Sequence, residues 1–205
     1  MSELAIGHQT HAEHPPTTTG ITHNKILMWT FLASDCMFFG SLIMTFMIYR
    51  GHAYGGPTPQ EIWDIPYTSV SAAILLLSSL AMVLALNALQ RGSLWGFRIW
   101  LLSTAGLGML FLGGQYYEFT TFYHEGLSLH SSLFGSTFFV LTGFHGTHVG
   151  IGVIWLLSLV GLSFTGRLGP ENYDRAEVAG LYWHFVDIVW IIIFTLVYLI
   201  PYAKA

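Results

Sequence analysis

The chain has 205 residues, of which 53% are hydrophobic and only 9% charged, whereas an average soluble domain carries about 25% charged residues. Its net charge of −4 and its lack of a basic stripe argue against a nucleic-acid binder, and its single cysteine, Cys36, excludes an internal disulfide, a four-cysteine zinc site and an iron–sulfur cluster. What remains is an integral membrane protein.

Residues 1–24 form a polar tail that contains four histidines and the pair Pro15-Pro16. Four histidines could bind a metal ion, but we interpret the tail as a solvated, disordered end in which the histidines are incidental. The remainder of the chain, residues 25–205, is predicted to be one membrane domain.

Five long apolar stretches follow the tail, and each can cross the hydrocarbon core of a bilayer as a helix, which takes about 20 residues. The stretches are continuous rather than alternating, so they predict helices and not the strands of a membrane barrel. The connections are short and leave no room for a soluble catalytic domain. The predicted helices span 26–48, 66–89, 96–122, 131–164 and 178–200.

The basic residues predict the orientation, because Lys and Arg concentrate on the cytoplasmic side of membrane proteins. With the N-terminus inside, two basic residues, Arg50 and Lys204, lie outside and five lie inside. The distribution therefore predicts a cytoplasmic N-terminus. The five inner residues are Lys25, Arg91, Arg98, Arg167 and Arg175.

Small residues are frequent in the third and fourth predicted helices, and small residues allow transmembrane helices to approach one another closely. Close packing is therefore expected along both helices. The glycines concerned are Gly106, Gly108, Gly113, Gly114, Gly143, Gly146, Gly150 and Gly152, of which Gly146 and Gly150 have the small-xxx-small spacing.

A few ionisable side chains fall inside the predicted helices, where each is costly unless it is paired or hydrated. His145 and His148 are three residues apart and share one face of the fourth helix. His184 and Asp187 have the same spacing on the fifth helix. The full set of candidate site residues is Asp35, Glu118, His145, His148, His184 and Asp187.

Three interpretations of these six residues follow from their chemistry. Imidazoles on facing helices could bind iron, copper or zinc. Histidines and carboxylates inside a membrane could form a proton relay. They could also hydrogen-bond one another across the bundle without a metal, which is the commoner role of buried polar side chains between membrane helices. We favour this last interpretation, an interhelical polar network.

Three sequence strings resemble subunit III of the haem–copper terminal oxidases. They are Gln115-Tyr116-Tyr117-Glu118, Gly143-Phe144-His145-Gly146-Thr147-His148-Val149 and Tyr182-Trp183-His184-Phe185-Val186-Asp187-Ile188-Val189-Trp190. The resemblance runs from about Lys25 to the C-terminus. Asp35 stands where the family typically has a membrane-embedded Glu. Leu162 stands where mitochondrial-type members have a lipid-binding Arg, and Arg167 is the nearest base, so that lipid contact is not expected in this chain.

The resemblance implies an all-α, polytopic membrane protein of the short bacterial form, with five transmembrane helices, a cytoplasmic N-terminus and a V-shaped bundle with a lipid cleft. It implies a non-catalytic, structural subunit that binds phospholipid but no haem, copper or other metal, while haem and copper lie in partner subunits. Such a chain packs directly on subunit I of a hetero-oligomer that also contains subunit II, and it supports proton uptake and the stability of subunit I. The whole complex is a proton-pumping oxygen reductase of the respiratory chain in the bacterial cytoplasmic membrane.

The resemblance leaves some alternatives open. Gly55-Gly56-Pro57-Thr58 and Ser34-Asp35-Cys36 resemble quinol oxidase subunits, whereas the strings at 115–118, 143–146 and 185–187 are more similar to cytochrome c oxidase, so the balance slightly favours cytochrome c as the electron donor. A subunit-III-like protein of a nitric oxide reductase is the nearest rival. A rival from another class is a membrane metal or haem redox protein that uses the intramembrane histidines.

Overall fold

The computed structural model describes residues 22–50, 64–130 and 132–200. Within these ranges the chain is helical and contains no strand, and five of its helices are long and apolar enough to cross a membrane. The all-α, five-helix membrane fold predicted from the sequence is therefore confirmed. The helices are α1 (His23–Tyr49), α2 (Ile65–Gln90), α3 (Leu94–His124), α4 (Leu133–Phe164) and α5 (Tyr173–Ile193), and α5 continues as a π-helix over Phe194–Leu199.

Capping side chains rather than apolar content set where several helices begin. The side chains of Asp64, Ser93 and Ser132 accept hydrogen bonds from backbone N–H groups in the first turns of α2, α3 and α4. The largest difference from prediction is at α5, which begins at Tyr173 instead of 178. Its first turn is polar, so apolar content alone predicts a later start, although this turn is helical.

The helices alternate in direction through the bundle. Helix α2 packs along α3 and α5, whereas α4 packs against α1, α3 and α5, and the main contacts of α1 are with α4 and α5. At the start of α1, Lys25 Nζ lies 2.7 Å from Glu177 Oε2 and 3.7 Å from Asp174 Oδ1 at the start of α5. We call this end of the bundle the basic end. It carries Lys25, Arg91, Arg98, Arg167 and Arg175.

The basic residues predicted to share one side of the membrane thus share one end of the fold. The placement of that end on the cytoplasmic side stays a prediction from the distribution of Lys and Arg. The V-shaped arrangement around a lipid cleft likewise stays an expectation from the family resemblance.

Arg98 joins the first turns of α3 to the last turn of α4. Its Nε donates to the Ser163 hydroxyl at 2.9 Å, and its Nη2 donates to the Ser163 carbonyl oxygen at 2.7 Å. The guanidinium also lies 4.4 Å from the centre of the Phe164 ring. A cation at the C-terminal end of a helix complements the helix dipole. Arg98 therefore stabilises the contact between α3 and α4 at the basic end.

We expect Arg98→Ala to lower the free energy of unfolding by about 1–2 kcal/mol, because it removes two charge-assisted hydrogen bonds and a cation–π contact from a half-buried site. Unfolding of the purified chain in mixed micelles would measure the loss. Arg91→Ala, at an exposed arginine of the same end, is the matched control. Equal losses in the two variants would contradict a specific role for Arg98.

The core of the bundle is built around Trp183 of α5. Its side chain is fully buried, and its indole N–H donates to the Ser78 hydroxyl of α2 at 3.0 Å. Glycines on two further helices make room for the ring. A Cβ added at Gly108 of α3 would lie 2.6 Å from Cη2 of Trp183, and one added at Gly152 of α4 would lie 2.9 Å from Cε3. One side chain on α5 therefore packs against α2, α3 and α4.

Candidate functional site

The structure places the six candidate polar residues in separate positions along the bundle rather than around one centre. One carboxylate pairs with a histidine between α1 and α4, one histidine is enclosed by aromatic rings, and two further groups connect α2 to α5 and α2 to α3. Asp35 and His148 form the pair between α1 and α4, and His145 is the histidine enclosed by aromatic rings. His184 and Asp187 lie where α5 meets α2, and Glu118 lies where α3 meets α2.

Asp35 of α1 faces His148 of α4. The distance from Asp35 Oδ2 to His148 Nε2 is 3.5 Å, and the two side chains are only 12% and 15% exposed. The other ring nitrogen of His148, Nδ1, lies 2.8 Å from the carbonyl oxygen of Phe144, one turn earlier in α4. Tyr182 of α5 donates its hydroxyl to the backbone carbonyl of His148 at 2.9 Å. Three helices meet at this pair.

His145 is fully buried in a pocket of aromatic rings. It stacks on Trp190 with ring centres 4.9 Å apart and an angle of 24°, and it meets Phe111 and Phe39 edge to face. Among the described residues, neither of its ring nitrogens has a hydrogen-bond partner. A charged imidazolium would be costly without a partner, so His145 packs here as a neutral aromatic ring.

Ser79 of α2 connects the helix to two residues on one face of α5. Its hydroxyl is 2.6 Å from Nδ1 of His184. The same side chain lies beside Asp187, although neither carboxyl oxygen of Asp187 makes a hydrogen bond of normal geometry with any residue that the structure describes. As their i,i+3 spacing in the sequence predicts, His184 and Asp187 therefore share one face of α5, and this face is turned toward α2.

Glu118 of α3 is buried beside α2 and the end of α5. The hydroxyl of Thr68 donates to its Oε1 at 2.8 Å, and Tyr198 lies against its carboxyl group. Tyr198 belongs to the π-helical end of α5, and such local widening of a helix is frequent at functional positions. One turn earlier on α3, Gln115 donates its amide N–H to the Thr142 carbonyl of α4 at 2.8 Å.

The sequence does not indicate that Ser79, Thr68 and Tyr182 are partners of the candidate residues. Serine and threonine are common in membrane helices, where most of them hydrogen-bond a carbonyl of their own helix, as Thr45 does with Ser41. Nothing in the sequence distinguishes a hydroxyl that crosses to a neighbouring helix from one that does not. The helix register that decides this is a property of the folded bundle.

A metal centre would need several ligands to converge. In the ranges 22–50, 64–130 and 132–200, no group of three or more His, Cys, Asp or Glu side chains is close enough to bind a metal ion. The three intramembrane histidines therefore do not form the multi-ligand set that a non-haem metal centre requires. Of the four histidines in residues 1–24, His8, His11 and His14 lie outside the described residues, whereas His23 is the first residue of α1.

A groove of about 370 Å³ opens between α1, α4 and α5 at the basic end. Its walls are mostly apolar, while Arg175 of α5 and Asn24 of α1 supply polar groups where these helices begin. Such a combination of an apolar wall and a cationic end is suited to an amphipathic ligand. The groove is lined by Asn24, Leu27, Met28, Trp155, Ser158, Leu159, Leu162, Arg175 and Val178.

Comparison with known proteins gives a consistent result. The family described as cytochrome c oxidase subunit III matches residues 6–202. Quinol oxidase subunit 3 of Bacillus subtilis is 38% identical over 196 residues, which cover 92% of this chain and 96% of the relative. Cytochrome bo(3) ubiquinol oxidase subunit 3 of Pseudomonas aeruginosa is 37% identical over 96% of this chain and 94% of the relative. Cytochrome c oxidase subunit 3 of a Bacillus species is 38% identical over 86% of both chains.

Proposed function

The chain belongs to the cytochrome c oxidase subunit III family, and on that premise we propose that it is a structural, lipid-binding subunit of a proton-pumping haem–copper oxygen reductase. The observation that carries the proposal is the family match, which covers almost the entire chain. In this role the chain does not hold the redox centres. It supports proton uptake by the catalytic subunit and the durability of that subunit.

The relatives are named as numbered subunits of oxidases, so the chain is a component of a hetero-oligomeric oxidase complex and a multi-pass membrane protein. We further propose that it packs directly on subunit I, that subunit II belongs to the same complex, and that haem and copper are bound by these partners. The proposed location is the bacterial cytoplasmic membrane. Relatives named for quinol and for cytochrome c match at the same identity, so overall similarity favours neither donor.

The groove at the basic end supports the lipid-binding part of the proposal. Leu162 contributes to its apolar wall, and Arg175 supplies a cation from α5. We place one acyl chain of a phospholipid against Leu27, Trp155 and Leu162, with its phosphate group near Arg175. A phosphate there would form charge-assisted hydrogen bonds with the guanidinium.

Lipid analysis of the purified complex tests this site. Arg175→Gln is expected to lower the amount of phospholipid that co-purifies, because the substitution removes the charge but keeps most of the side-chain length. Arg167→Gln, at an exposed arginine of the same end that does not line the groove, is the control and should retain the lipid. Equal retention in both variants would contradict the assignment of this groove.

Purification through an affinity tag on this chain tests the role in the complex. The expected result is co-purification of a catalytic subunit that contains both haem and copper, while the chain purified alone gives no haem spectrum and no stoichiometric metal. A partner that contains only haem iron would instead identify a nitric oxide reductase. Haem or metal in the isolated chain would overturn the structural role in favour of a redox protein.

A further inference from the structure

The hydrogen bonds of His148 fix which of its ring nitrogens carries a proton. A carbonyl oxygen can only accept, so the 2.8 Å contact with the Phe144 carbonyl requires a proton on Nδ1. In a neutral imidazole only one nitrogen is protonated. The lone pair of Nε2 therefore points toward Asp35 whenever His148 is neutral, at a distance of 3.5 Å from Oδ2.

An ionised Asp35 beside this lone pair would bring together two acceptors and no donor. The contact becomes attractive when one proton lies between the two groups. That proton can reside on the carboxyl, which then donates to Nε2, or on Nε2, which then forms an imidazolium–carboxylate pair. Both arrangements contain the same number of protons and have a net charge of zero, so they are two forms of one state.

The surroundings of the pair disfavour any other number of protons. Phe38 and Phe39 of α1 lie against the His148 ring. Within the described part of the chain, the titratable side chains that face the pair are His145 of α4, which is enclosed by aromatic rings, and Tyr182 of α5, whose hydroxyl donates to the His148 carbonyl. Neither of them supplies a compensating charge. Loss of the proton would leave a net negative charge in an apolar site, and a second proton would leave a net positive charge.

We propose that Asp35 and His148 form an intramembrane binding site for a single proton, and that this proton holds α1 against α4. The proton has a structural role, because it stabilises the contact between α1 and α4 as a bridging ion would. It is not passed along a relay.

The tautomer of His148 gives the first test. Solid-state NMR of the full chain with ¹⁵N-labelled histidine should show Nδ1 of His148 protonated, and His148→Gln identifies its signals by their loss. In Asp35→Asn the amide N–H takes the place of the shared proton, so His148 should be neutral with its proton on Nδ1 alone. A neutral ring with its proton on Nε2 alone, in the unaltered protein, would overturn the proposal.

The single cysteine gives a second test, because Cys36 is next to Asp35 and is exposed on α1. A nitroxide label on Cys36 reports the mobility of α1 in the purified full chain in lipid. The label should be as immobile in Asp35→Asn as in the unaltered protein, and distinctly more mobile in Asp35→Ala. Alkaline conditions should mobilise the label in the unaltered protein and not in Asp35→Asn. Equal mobility in the Asn and Ala variants would overturn the role of the proton in holding α1.

Discussion

Replacing Trp183 with alanine is expected to lower the free energy of unfolding by about 3 kcal/mol, the low end of the range for truncating a large buried aromatic side chain. The substitution removes a fully buried ring and its hydrogen bond to Ser78, and it leaves a cavity between Gly108 and Gly152. Unfolding of the purified chain in mixed micelles, followed by the loss of helical signal, would measure the effect.

We expect a loss at the low end of the range for buried aromatic side chains because the bundle folds in lipid rather than in water. Lipid chains are as apolar as the interior of the bundle, so moving an indole from lipid into the core gains little transfer free energy. What the ring contributes is van der Waals contact and one cross-helix hydrogen bond. Trp95→Ala is the control, since Trp95 is 69% exposed and should change stability by less than about 0.5 kcal/mol. A similar loss at both tryptophans would contradict the central role of Trp183.

Because lipid chains and the bundle interior are equally apolar, the sequence predicts the membrane spans but not which face of each helix is buried. Continuous apolar stretches encode the membrane spans, and all five were found with small errors at their ends. The faces of the helices were not predictable from hydrophobicity, because lipid and core accept the same residues. On α1, Phe46 is fully buried while Met37 is 78% exposed, although both are strongly apolar. Only the folded bundle distinguishes them.

For the candidate site, too, the sequence predicts the direction of the side chains but not the residues that they meet. The spacing of His145 and His148 predicted one shared helix face, and both side chains do turn toward α1. Both rings contact Phe39, but His148 also meets the carboxylate of Asp35, whereas His145 is surrounded by aromatic rings alone. Spacing within a helix fixes the direction of a side chain, whereas the register of the neighbouring helix decides what it meets. Spacing alone therefore does not separate the metal, relay and network interpretations.

Glycines are the residues whose role most depended on the folded structure. The sequence indicated close packing at many of them, but an added Cβ at Gly106 would meet nothing within 4 Å, whereas one at Gly108 would collide with Trp183 and Val153. The spacing Gly146–Gly150 was the clearest pattern in the sequence. In the bundle Gly146 lies against Gln115, while Gly150 is in ordinary contact with Leu112.

Gly108→Leu is therefore expected to lower the free energy of unfolding by about 3 kcal/mol, the upper part of the usual range for overpacking a filled core. The leucine branches would occupy the positions of the Trp183 ring, which lies 2.6 Å from a Cβ at this residue. Gly106→Leu, on the same helix, is the matched control. It should be neutral or slightly stabilising, because leucine favours a helix more than glycine does and meets open space here.

Combining Gly108→Leu with Trp183→Ala tests whether the two residues act on one volume. The leucine can enter the cavity left by the indole, so the double variant should be more stable than the sum of the two single losses predicts, by about 1–3 kcal/mol. Ser78 still loses its indole partner in the double variant, so recovery should remain incomplete. Strict additivity would show that Gly108 and Trp183 do not share a packing site, and the contact between α3 and α5 would have to stabilise the bundle in another way.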